Sequence, residues 1–207
     1  MQSGLDRCAD AVRQNPRFNL GNLLEGDQSL AIDGTDRTKR QCFLKALPCD
    51  PNFAKAWWHL GRAMIVGEMI EVDGSTYTHR QCYLEALRCD PDDVVAWNCL
   101  GIALKGEETV SVGCKDYDKL HCFIQVSRCD PNDSNGWYNL GATLPSGATI
   151  AVDGVDYSER QCYLEALRCD SKYESAWIEV AYSLYGEYFD KKQCYQRAIR
   201  LQFSPIG

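Results

Sequence analysis

Twelve cysteines and three histidines are the residues of this chain whose side chains could do chemistry on their own. A thiol can bridge, bind zinc or attack as a nucleophile, and spacing decides among these uses. Most cysteines fall in pairs seven apart: Cys42/Cys49, Cys82/Cys89, Cys122/Cys129 and Cys162/Cys169. On a helix that spacing keeps two thiols on one face but about 10 Å apart along the axis, beyond the roughly 7 Å Cα separation a disulfide tolerates. They cannot bridge each other. Zinc sites draw on close pairs such as Cys-x2-Cys, which the sequence lacks; His79 with Cys82 comes nearest and occurs once. No metal site and no cofactor are expected. Both cysteine positions lie on the apolar stripe of their segment, where a reduced thiol packs as a small apolar group. Cys99 and Cys114 break that register, and a redox role would fall to them.

The remaining polar groups offer less. His59, His79 and His121 stand at unrelated places, and no Gly-rich phosphate loop, Gly-x-Ser-x-Gly or His-Glu-x2-His motif occurs. Asp33, Asp73 and Asp153 each precede a glycine, which turn chemistry accounts for. The chain is not expected to be an enzyme. A composition 45% apolar and 25% charged is that of a globular protein. A net charge of -7 argues against affinity gained by neutralising phosphates, so nucleic acid is not an expected partner. No apolar run reaches the roughly 18 residues of a membrane span, and Met1 to Arg7 lacks the layout of a secretory signal. A soluble, cytoplasmic protein without membrane insertion is the expectation.

The positions of these residues follow a ruler. Cys-Asp recurs at 49-50, 89-90, 129-130 and 169-170, a spacing of 40 each time. Trp57, Trp97, Trp137 and Trp177 keep the same interval, as do the Leu-Gly pairs at 20-21, 60-61, 100-101 and 140-141. The segment 80–90 returns letter for letter at 160–170. Self-similarity at such a period is the mark of units that cannot cover their own apolar faces and must stack on neighbours. Within one period, Phe53, Ala56, Trp57, Leu60, Ala63 and Met64 recur at steps of three and four, predicting a helix A from about Pro51. Cys82, Tyr83, Ala86, Leu87 and Cys89 predict a helix B. Asp-Pro punctuates, because proline cannot continue one helix yet suits the first turn of the next.

These residues resemble the tetratricopeptide repeat. Its helix A pattern, Trp-x2-Leu-Gly-x2-large, is matched by Trp57…Leu60-Gly61…Met64, Trp97…Leu100-Gly101…Leu104 and Trp137…Leu140-Gly141…Leu144. Trp177…Val180-Ala181…Leu184 and Arg17…Leu20-Gly21…Leu24 are looser copies. Helix B is matched by Phe43/Ala46, Tyr83/Ala86, Tyr163/Ala166 and Tyr195/Ala198, with Phe123/Val126 as a variant. Family repeats have 34 residues, so each 40-residue unit here carries six extra between its helices. The family's small residue early in helix B is replaced by Lys39, His79, Lys119, Glu159 and Lys191, and the cysteines one turn later, Cys42, Cys82, Cys122, Cys162 and Cys194, are expected to supply the missing small contact. In the inserted segment, Ile70-Glu71-Val72 alternates before Asp73-Gly74, the pair suited to a tight hairpin turn. Residues 30–34 and 150–154 repeat it, while Val112-Gly113-Cys114 degrades it. A short extended arm or small hairpin is expected, its Ile and Val packed on the helix ends, with Thr, Ser or Asp capping helix B.

The resemblance implies an all-α, right-handed superhelical solenoid with extended arms. Its expected parts are an N-terminal helix (1–15), repeats at 16–50, 51–90, 91–130, 131–170 and 171–203, and a tail (204–207). It also implies a protein- or peptide-binding adaptor or scaffold whose concave groove is lined from helix A, one and five residues after the tryptophan. Here those positions hold Phe18 and Asn22, Trp58 and Arg62, Asn98 and Ile102, Tyr138 and Ala142, then Ile178 and Tyr182. The family's clamp for a C-terminal carboxylate looks incomplete with Lys55, Arg62 and Lys105, and the acidic whole points to a segment mixing apolar and basic side chains. Other readings are an assembly subunit that contacts neighbours through its ends and arms, with homodimerisation through uncapped ends, and a cysteine-based redox sensor.

Overall fold

A computed structural model describes residues 29–32, 35–48 and 50–185. The expected N-terminal helix, the first helix A with Phe18 and Asn22, and the fifth helix B lie outside the described residues. Among the described residues, eight helices, in pairs, alternate with four two-stranded hairpins: β1 (Ser29–Ile32), β2 (Thr35–Thr38), α1 (Lys39–Ala46), α2 (Ala54–Arg62), β3 (Met69–Val72), β4 (Ser75–Thr78), α3 (His79–Cys89), α4 (Val94–Ala103), β5 (Val110–Val112), β6 (Lys115–Tyr117), α5 (Lys119–Cys129), α6 (Ser134–Thr143), β7 (Thr149–Val152), β8 (Val155–Ser158), α7 (Glu159–Cys169) and α8 (Glu174–Tyr185). The predicted helix A, inserted arm and helix B thus recur in order.

The chain divides into two compact units, Met1–Ala103 with Val110–Asp116, and Leu104–Thr109 with Tyr117–Gly207. In the first, α1, α2, α3 and α4 pack in sequence and α2 also touches α4. Its core is built from the periodic residues, among them Phe43, Trp57, Leu60, Tyr83, Leu87, Trp97 and Leu100. In the second, α5 to α8 pack in sequence around Phe123, Trp137, Leu140, Tyr163, Leu167 and Val180.

Each turn between repeats is the same device. Asp50, Asp90, Asp130 and Asp170 accept the N–H two residues on at 2.9 to 3.2 Å, an Asx turn that ends helix B and lets proline or serine open the next helix. The tryptophan six residues beyond the proline then donates its indole N–H back to that loop: Trp57 to the Pro51 carbonyl, Trp97 to Pro91, Trp137 to Pro131 and Trp177 to Ser171, at 2.7 to 2.9 Å. A buried indole N–H needs such a partner. Cys89 and Cys169 donate to the same carbonyls, of Pro51 and Pro131, at 3.7 and 3.5 Å. The Pro51 and Pro131 carbonyls therefore each tie the loop before helix A to the tryptophan in that helix's first half and to the last residue of helix B.

The inserted segments are hairpins. Ile70 pairs with Tyr77 and Val72 with Ser75, closed by Asp73-Gly74 with φ of 49° and 77°; Asp153-Gly154, at 51° and 83°, closes β7 and β8 alike. Positive φ at both turn residues is what a twisted two-residue hairpin requires. Ile70, Val72 and Val152 are buried, and Tyr77 and Tyr157 tilt onto Trp57 and Trp137 at 4.9 and 4.8 Å between centroids. The third arm pairs too, despite Gly113-Cys114, with strands shortened to three residues. In each unit a hairpin also reaches back to the preceding helix B, β5 onto α3 and β7 onto α5, where Arg128 pairs with Asp153 at 3.1 Å. Thr78 and Ser158 cap α3 and α7 in capping boxes with Gln81 and Gln161, and Asp118 caps α5.

Helix A comes very close to helix B at its glycine. A Cβ on Gly61 would stand 2.6 Å from the Tyr83 ring and 3.0 Å from the His79 carbonyl; on Gly141 it would meet Tyr163 at 2.9 Å, with Cys162 Cβ and the Glu159 carbonyl at 3.1 Å. The expectation that the cysteines supply the missing small contact is therefore met in part. The backbone at His79 and Glu159 makes the approach, whatever side chain stands there, and Cys162 Cβ joins it at Gly141.

Candidate functional site

On α2, Lys55, Trp58 and Arg62 fall at steps of three and four and so share a face. Trp58 is half-buried: its ring stacks on His59 at 3.6 Å between centroids, and the Arg62 guanidinium lies 5.8 Å from the ring centre, within cation–π reach. His59 in turn stacks on the buried Phe43 of α1 at 4.8 Å. This ladder, running from helix B of one repeat to the exposed Arg62, fixes Trp58 in place. On α4 the same register holds Val95, Asn98 and Ile102. Ile102 is 59% exposed and Asn98 half-buried.

In the second unit the row on α6 is Asn135, Tyr138 and Ala142, and on α8 it is Ser175, Ile178 and Tyr182. Tyr138 packs against Tyr163 at 5.6 Å and Tyr173 at 5.1 Å, and Tyr173 donates to Asn135 at 3.1 Å. Tyr182 is 41% exposed and Ile178 half-buried. Sequence reasoning singled out Tyr138 but missed the tyrosine cluster that holds it. Tyr173 and Tyr163 belong to packing rows, and nothing in a row shows that their rings meet a groove residue.

A second feature was not anticipated. Ile65 and Val66, on the turn between α2 and β3, and Met69, the first residue of β3, are 77%, 75% and 59% exposed. That turn is closed by the Glu68 N–H on the Ile65 carbonyl at 2.9 Å, with the Glu68 carboxylate accepting the Ile65 N–H at 3.0 Å and pairing with Arg40. Hydrogen bonding by Ile65 and then by Arg40 holds the Glu68 carboxyl below its usual range. Equivalent turns carry Lys105 and Pro145 in place of Ile65. A comparison of the copies could have found the signal.

The thiols are arranged for packing. Burial pushes Cys82, Cys122 and Cys162 up to about 12, and raises Cys89, Cys99 and Cys169 as well. Cys99, expected to share a redox role with Cys114, is half-buried; Cys114 is exposed at its hairpin turn. Among the described residues no group of three metal-ligating side chains comes together, and no helix is long and apolar enough to cross a membrane.

Helix pairs with interposed hairpins, recurring every 40 residues with a fixed packing side and a varied opposite row, fit a helical repeat protein. Residues 82–119, running from the first turn of α3 through α4 to the start of α5, match the tetratricopeptide repeat family model. Such repeats serve protein–protein interaction in general, and the family is generally non-enzymatic. No curated protein gives a match to the chain.

Proposed function

We propose that this chain is a non-enzymatic adaptor or scaffold. Its helix pairs stack into a right-handed superhelix, and the helix A rows receive a peptide or protein segment. The lining residues are Phe18, Asn22, Trp58, Arg62, Asn98, Ile102, Tyr138, Ile178 and Tyr182. One observation carries this reading: the buried side of helix A is nearly the same in every copy, whereas the positions one and five after the tryptophan change each time. A scaffold repeated for shape and varied at its lining is what individual recognition requires. Trp58 and Tyr138, held by neighbouring rings, are the kind of rigid amphipathic anchor that dominates interface energies. Capture of partners from lysate by the wild type, Trp58→Ala and Tyr138→Ala forms tests it. Loss of partners in either variant, at unchanged helicity, is expected; identical partners in all three would remove the groove reading.

A second reading is favoured by Ile65, Val66 and Met69, whose exposure on a closed turn suits a fixed contact with a neighbouring subunit. If Ile65→Ser with Val66→Ser loses partners that Trp58→Ala keeps, that turn is the contact. The redox alternative draws little support, because burial moves Cys99 away from the thiolate form that reacts.

A further inference from the structure

We infer that the α2/α4 face of the first unit takes an apolar segment carrying two acidic side chains about three residues apart, against the sign that the whole chain's charge suggests. The inference rests on the groove reading above and adds the chemistry of its ligand.

The local charge is opposite to the global one. Lys55 and Arg62 are exposed, and among the described residues neither is ion-paired. One carboxylate, Asp93, lies within electrostatic reach of Lys55 but is engaged in capping α4, accepting the Ala96 N–H at 2.9 Å. No carboxylate stands in the rows Lys55-Trp58-Arg62 and Val95-Asn98-Ile102. With the Arg62 guanidinium over the Trp58 ring, 5.8 Å from its centre, its N–H groups remain available to a carboxylate in the two-point geometry arginine favours.

Spacing then limits the ligand. Lys55 and Arg62 leave the helix two turns apart, about 10 Å along the axis, so two carboxylates at that separation engage one each without bending either side chain toward the other. A single C-terminal carboxylate would occupy only one of them in that geometry. An extended segment advances about 3.3 Å per residue, so acidic side chains three apart span the same distance. The residues between them would lie over Trp58, Val95 and Ile102, which calls for apolar side chains.

The test is a displayed library of randomised ten-residue segments held between fixed flanks, so that no free C-terminus is presented, selected against the full chain. A parallel library with free C-termini separates terminal from side-chain carboxylates. Expected is enrichment of Asp or Glu at a three-residue separation with apolar residues between. Arg62→Gln should abolish that enrichment and weaken a selected peptide about tenfold. Arg62→Lys, which keeps the charge but not the fork, should weaken it less. Enrichment that needs a free C-terminus, acidic enrichment unchanged in Arg62→Gln, or selection of Lys and Arg would each overturn the inference. If basic peptides are selected and then lost in Trp58→Ala, the groove stands and only its ligand chemistry falls. No enrichment, together with partners indifferent to Trp58→Ala and Tyr138→Ala, removes both.

Discussion

Gly136 is an irregularity with a cause. The positions that hold Val126 and Gly136 in the middle of the chain hold Ala46 and Ala56, Ala86 and Ala96, and Ala166 and Ala176 in the other copies, all six alanines fully buried. A Cβ on Gly136 would stand 2.3 Å from Val126 Cγ1, so the larger residue on helix B is accommodated by the smaller one on helix A. Gly136→Ala should therefore cost about 1 to 3 kcal/mol by overpacking, and Val126→Ala added to it, which recreates the pair of the other repeats, should recover most of the loss. Thermal denaturation of the two single variants and the double closes the cycle; additive losses would mean the two side chains do not share one space. The buried thiols make a different prediction. Cys82, Cys122 and Cys162 keep their protons up to about 12 when folded, against about 8.5 for a free thiol. The folded state thus binds more protons in that window, so their contribution is complete below the ordinary value and lost as pH rises through the folded one. Stability should fall from about pH 8.5 toward 12, and mass-mapped labelling at pH 8 should modify Cys114 quickly but these three only after denaturation. Rapid labelling of Cys122 in the native protein would contradict the packing role.

At the scale of elements, much was legible because each signal is local. The apolar steps of three and four located both helices of a repeat, Asp-Pro located the break between successive repeats, and Thr78, Asp118 and Ser158 were readable as caps. Asp73-Gly74 and Asp153-Gly154 gave the hairpins, because positive φ restricts which residues can stand there. What escaped depends on contacts far apart in sequence. The short third hairpin forms although Gly113-Cys114 replaces Asp-Gly, since only its first turn residue, Gly113 at a φ of 63°, needs positive φ. The double use of the Pro51 and Pro131 carbonyls joins residues up to 38 apart, so the recurring Cys89 and Cys169 read only as small apolar groups. The approach at Gly61 involves the His79 backbone, which no side-chain pattern reports. Two variants measure these elements. Ser158→Ala removes the α7 cap and should cost about 1 kcal/mol. Gly154→Val forces a β-branched residue to a φ of 83° and should cost more, because L side chains are strained there. If thermal melts show Gly154→Val to be neutral, the hairpin is not holding its turn in the folded state.

For the molecule as a whole, the consequence of building from near-identical units is that stability should be local. When each repeat touches chiefly its sequence neighbours, total stability approximates a sum of repeat terms and nearest-neighbour terms. In the second unit α6 packs on α5 and α7, and α7 on α8; in the first, α2 packs on α1 and α3. A lesion at one crossing should therefore spread along the chain no faster than these contacts allow. Gly141→Ala is the suitable lesion, since its Cβ would press on Tyr163, Cys162 and the backbone of Glu159, all in α7. Hydrogen exchange read by peptide should show protection lost first in α6 and α7 and next in α5 and α8, with α2 and α3 retaining wild-type rates under the same conditions. A globule with one shared core would instead lose protection everywhere together, because opening any part would require opening all of it. Uniform loss in this variant would leave the sequence period without a stacking role, and a row of side chains drawn from successive helices could not then be read as a binding surface.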